Sequence, residues 1–67
     1  MNSLPVAPID RLMRKSGAER VSDDAAREMS SYLAEVLADV TKQAAKLAQH
    51  AGRKTVTRED VRLAVNE

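Results

Sequence analysis

The chain has 67 residues, 43% of them hydrophobic and 31% charged, with a formal net charge of +1 and no cysteine. That length allows one small domain, which buries only about 60% of its unfolded surface when it folds alone. Without cysteine there is no disulfide or thiolate metal site to stiffen it, and His50 alone does not make a zinc site, so a partner chain is the expected staple.

In chain order, the opening stretch MNSLPVAPIDRLMRK lacks the charged start, apolar centre and small-residue cleavage site of a signal peptide. No apolar run approaches the length of a membrane span, and the protein is expected inside the cell. A short helix is predicted from about Ala7 to Lys15, with Pro8 in its first turn and Ile9, Leu12 and Met13 on one face. Gly17 closes it. Ser22 then caps a second helix, and Asp23 and Asp24 meet the positive end of its dipole.

Nothing breaks that helix before His50. Met29, Leu33, Val36, Val40, Ala44, Leu47 and Ala51 recur in steps of three and four, and Tyr32, Leu37 and Ala48 widen the stripe, all of which reads as core. The spacing predicts one helix of roughly 27 residues, about 40 Å long. Gly52 ends it. Thr57 caps a third helix with Asp60 completing a capping box, and Val61, Ala64 and Val65 lie on its inner face.

The fold class is therefore all-α: short helix, long central helix, short helix, in a single domain spanning residues 1–67. Two short helices leave much of the long stripe bare, and a bare stripe that size is too large for a soluble monomer. A second copy crossing over the long helix covers it, so an obligate symmetric dimer is expected.

The two connecting straps repeat each other. GAERVSDD, from Gly17, and GRKTVTRE, from Gly52, each run from glycine through a valine to a hydroxyl cap and acidic first turn. Val21 and Val56 suit very short strands that pair across the dimer. If the long helices cross antiparallel, Arg20 lies beside the partner's Arg53, Lys54 and Thr55. Charge is segregated to match: residues 41–58 hold Lys42, Lys46, Arg53, Lys54 and Arg58 without an acid, whereas Asp23, Asp24, Glu28, Glu35 and Asp39 crowd the first half of the long helix. Polyanion binding follows local charge geometry, and the net value is a poor guide to it.

An enzyme is not expected. There is no nucleophile–base set, no glycine-rich phosphate loop and no ligand cluster; Asp23 and Asp24 diverge around their helix and act as caps. No catalytic residue, cofactor, metal, membrane or small-molecule substrate is assigned. A helix-turn-helix regulator needs a short recognition helix after a tight turn, which the uninterrupted long helix denies.

The stretches LPVAPIDRLMRKSGAERVSDDA and KLAQHAGRKTVTREDVRLAV resemble the archaeal-type histones, the minimal tailless histone-fold family. The resemblance covers nearly the whole chain. It implies a handshake dimer, either a homodimer or a heterodimer with a paralogue, that binds, wraps and compacts double-stranded DNA largely without sequence preference. It also implies nucleoid association in the cytoplasm and possible stacking of dimers on DNA. By position, Arg20 matches the strap arginine that enters the minor groove. Arg53, Lys54 and Thr55 match the phosphate-contacting set of the second strap, and Arg11 matches a first-helix arginine near the dimer centre. Leu47, His50 and Asp60 match the dimer–dimer contact, and Arg53 with Asp60 the internal strap-to-helix salt bridge. Asp10, Gln49, and Asn66 with Glu67, which stand where relatives often finish with basic residues, depart from the pattern. Asp10 is expected to repel phosphate beside Arg11, and Gln49 stands where a basic residue usually precedes the histidine. Together these are expected to lower DNA affinity, and Asp10 and Gln49 keep open the alternative reading, a histone-fold protein–protein interaction module with weak or no DNA binding.

Overall fold

A computed structural model describes residues 4–66; Met1, Asn2 and Ser3, part of the opening stretch compared with a signal peptide, lie outside the described residues. The chain has three helices, α1 (Val6–Lys15), α2 (Asp23–His50) and α3 (Arg58–Val65), and no strand among the described residues. It forms two compact units, Met1–Glu35 and Val36–Glu67.

In the first unit, α1 follows Pro5 without a side-chain cap. Pro8 is its third residue, where the missing N–H has no partner within the helix anyway. The helix ends in a Schellman turn. Gly17 N–H donates to Arg14 C=O at 3.1 Å and Ala18 N–H to Met13 C=O at 3.2 Å, a closure that requires the positive φ of 128° at Gly17. The strap then delivers Ser22, whose Oγ accepts from Ala25 N–H at 3.1 Å and starts α2. Ala26 and Ser30 are buried, and the Ser30 hydroxyl donates to Leu4 C=O at 2.6 Å, tying the segment before α1 to α2.

The second unit repeats this grammar. Gly52 N–H donates to Gln49 C=O and Arg53 N–H to Ala48 C=O, both at 2.9 Å, with Gly52 at φ 75°. Thr57 is the α3 N-cap, and a full capping box with Asp60 is formed. Ala44, Ala48, Ala64 and Asp60 are its buried residues.

The burial pattern differs from the expected core. What each unit buries is a line of small side chains, Ala26 and Ser30 in one and Ala44, Ala48 and Ala64 in the other. Small residues let helix backbones approach closely, so they fill the intrachain seam. The large members of the α2 stripe are left outside it: Tyr32 is 59% exposed, Leu37 55%, and Val36 is also open. Met29, Leu33, Val40 and Leu47 are half-buried. On α3, Val61, Leu63 and Val65 are exposed around the buried Ala64. Val21 and Val56 lie in irregular backbone, where one copy supplies no edge for a strand to pair with.

Candidate nucleic-acid interface

The second strap is organised around Arg53. Its Nη1 donates to Asp60 Oδ2 at 2.8 Å and its Nη2 to Oδ1 at 3.0 Å, a bidentate fork. Nη1 also donates to Thr55 C=O at 3.0 Å, pinning the strap backbone. Asp60 is 3% exposed, and its Oδ2 accepts a further bond from Thr57 N–H at 2.9 Å. Arg53 first, and then the Thr57 N–H, holds the Asp60 carboxyl well below the usual carboxylate range, against desolvation acting the other way. The same hydrogen bond raises Arg53 above its already high value. Arg53 is thus a strut, and Lys54 and Thr55 stand exposed on a backbone fixed at either side of them. An ammonium and a hydroxyl so placed are suited to phosphate oxygens. A hollow of ≈ 190 Å³ lined by Ala45, Ala48, Gln49, Arg53, Lys54 and Val56 runs beside them.

In the first strap Arg20 is exposed between Glu19 and the half-buried Val21. On α1, Arg11 is exposed beside a hollow of ≈ 260 Å³ formed with Pro8, Leu12 and Lys15. Asp10 does not stand free next to it: Arg14 Nε donates to Asp10 Oδ1 at 2.9 Å. Among the described residues, Arg14 and Arg53 are the ion-paired cations. Arg11, Arg20 and Lys54 are therefore available to an external anion.

Leu47 and His50 come together in a groove of ≈ 530 Å³ with Gln43, Lys46 and Ala64. Asp60, grouped with them in the sequence, is not among the residues lining this groove; it is buried and engaged by Arg53 and Thr57. No cluster of three or more His, Cys, Asp or Glu placed to hold a metal occurs among the described residues, and none of the described helices is long and apolar enough to cross a membrane. Three contributors escape a reading of the sequence. Arg14 carries a signal, the i,i+4 spacing from Asp10. The Thr55 carbonyl carries none, because backbone acceptors are anonymous in sequence. Ser30 lies in the register of the buried line, but its hydroxyl disguises it as a surface residue.

The chain is 63% identical over 65 residues to a protein of the archaeal histone HAN1 from Thermococcus zilligii, covering 97% of each chain. It is 43% identical over 65 residues, again 97% of each, to probable archaeal histone 3 of Methanocaldococcus jannaschii. A third relative, the B-9 protein of nuclear transcription factor Y from Arabidopsis thaliana, is 33% identical over 66 residues, which is 96% of this chain and 28% of that protein. The family described as histone-like transcription factor (CBF/NF-Y) and archaeal histone matches residues 2–65, and the protein belongs to that histone-fold family.

Proposed function

We propose that the protein is a DNA-binding architectural histone, not an enzyme, acting as a histone-fold dimer that wraps and compacts double-stranded DNA in the nucleoid. The observation that carries this reading is the division of labour in the second strap. Arg53 is spent on Asp60 and Thr55, and this braces Lys54 and Thr55 as free phosphate ligands. Arg20 is the minor-groove residue of the first strap, and Arg11 serves phosphate from α1. Contacts of this kind position DNA without reading its bases, so sequence preference is weak. Exposed Tyr32, Val36 and Leu37 on α2 support dimerisation, because a second copy covers them with the same patch of its own surface. The exposed Leu47–His50 groove is the surface on which dimers meet on DNA.

The test is equilibrium binding of the purified chain to a mixed-sequence duplex over about 50 to 200 mM salt, with nuclease digestion of the complex. A log–log plot falling steeply and linearly, from counterion release by several phosphate contacts, is the expected result. A flat plot with no protected DNA sinks the reading in favour of a protein–protein interaction module.

A further inference from the structure

The α1 surface carries Arg11, Arg14 and Lys15 within about one turn, since residues three and four apart share a helix face. Of these, Arg14 alone has an acidic partner among the described residues, Asp10 one turn earlier. The side chains are 54% and 31% exposed respectively. The bond is made by Nε and ties the guanidinium to a carboxylate one turn back on the same helix. A pair this exposed adds little to stability. Its larger consequence is for charge. A phosphate approaching Arg14 either breaks the bond, baring the Asp10 carboxylate, or accepts a position within a few ångströms of that carboxylate.

We propose that Asp10 is an attenuating residue for DNA binding: it holds Arg14 along α1 and withholds one phosphate-contacting cation per protomer. The inference rests on the DNA-binding reading above and refines it. Affinity is set by the straps and Arg11, and Arg14 is a reserve of charge kept in check by one carboxylate. In a histone-fold dimer both copies of α1 are restrained in this way, so removing the restraint changes the number of counterions released. A merely structural residue does not move that number.

The experiment uses the full chain and a mixed-sequence duplex, comparing wild type, Asp10→Asn, Asp10→Glu, Arg14→Ala and the Asp10→Asn/Arg14→Ala double variant. Helical content is checked by circular dichroism, and binding is measured as a function of salt. Asp10→Asn is expected to bind severalfold more tightly and to steepen the salt slope by about 0.9 for each Arg14 that reaches phosphate. Asp10→Glu, which keeps an i,i+4 partner for Arg14, stays near wild type. Arg14→Ala alone leaves the slope unchanged, and in the double variant it abolishes the gain. An unchanged slope in Asp10→Asn overturns the proposal. So does a gain that survives loss of Arg14, which makes Asp10 a simple repulsive charge. So does Arg14→Ala flattening the wild-type slope, which means Arg14 already contacts DNA. A wild-type slope near zero instead overturns the parent reading, and this one falls with it.

Discussion

Arg53 and Asp60 meet fork to fork, at 2.8 and 3.0 Å, and the same carboxylate caps α3 through Thr57 N–H. One buried side chain therefore fixes both the strap and the helix that follows it. Because the native Asp60 carboxyl is held below its ordinary value of 3.8, its contribution to stability is fully present above that value. It is lost as pH falls toward the depressed native value. Asp60→Asn keeps a capping oxygen and loses the ion pair. It is expected to melt lower than wild type at neutral pH and to lose less on further acidification. Thermal melts at about pH 7, 4 and 2.5 decide this, since the other carboxylates contribute to both proteins and cancel in the difference. Parallel acid declines in the two proteins count against the coupling.

The two strap glycines separate backbone strain from packing. A Cβ at Gly17 or Gly52 meets nothing within 4 Å, so substitution costs only conformation. Gly52→Ala is expected to lose about 1 kcal/mol, or about 4–8 °C for a domain of this size, at fixed protein concentration because a dimer's melting depends on it. Asparagine tolerates the left-handed region, and Gly52 at φ 75° lies close to it. Gly52→Asn is thus expected to recover part of the loss. Gly17 at φ 128° lies beyond that region, and Gly17→Asn recovers none. Equal rescue at both positions contradicts the assignment.

These turns are legible in the sequence because their signals are local. Gly17, Ser22, Gly52 and Thr57 act on neighbours within a few residues, and the helices fall where those residues put them, α1 starting at Val6 instead of Ala7. The capping role of Asp60 is legible from its spacing to Thr57. Its burial is not, because burial depends on tertiary packing that the local spacing does not encode. Asp10 shows the limit from the other side. In sequence its charge reads as a repulsion felt by DNA, whereas its partner is Arg14 one turn on. The stripe through Tyr32 and Leu37 stays open in the single chain, which fully buries only its small-residue edge.

Lys54 and Arg20 are expected to carry most of the strap affinity. Lys54→Ala should flatten the salt dependence by about 0.9 for each phosphate it no longer neutralises, without changing the melting temperature appreciably. Arg53→Ala should behave differently, lowering stability as well as binding, because it leaves the Asp60 carboxylate buried and unpaired. If combined Arg20→Ala and Lys54→Ala bind with unchanged affinity and slope, the straps are not the contact surface.

Leu37 tests the dimer. It is 55% exposed on α2, so Leu37→Lys does no harm to a chain that works alone. In a dimer it buries a charge without a partner, which is strongly unfavourable. Wild type is expected to sediment as a dimer at low micromolar concentration, and Leu37→Lys to lose both dimer and helicity together. Glu35→Gln, on the opposite side of α2, is the control and should remain dimeric. A helical, monomeric Leu37→Lys protein means that the chain folds without a second copy.

His50 separates the dimer from what dimers do next. It is exposed at the end of α2, where it lines a groove with Leu47 and Ala64, and it has no part in the Arg53–Asp60 fork. Removing its ring should therefore leave the fold and the dimer intact. If the groove is where dimers meet on DNA, His50→Ala binds DNA with near wild-type affinity per dimer at low protein loading. Nuclease then leaves shorter protected fragments at high loading, because neighbouring dimers no longer stack. Leu47→Lys, which puts a charge in the same groove, should shorten them further. Asp60→Asn supplies the discriminating comparison. Its carboxylate is already occupied within its own chain, so it is expected to lower stability more than it shortens the footprint. Protection by His50→Ala equal to that of wild type at every loading removes the groove from the assembly and leaves His50 as the end of a helix.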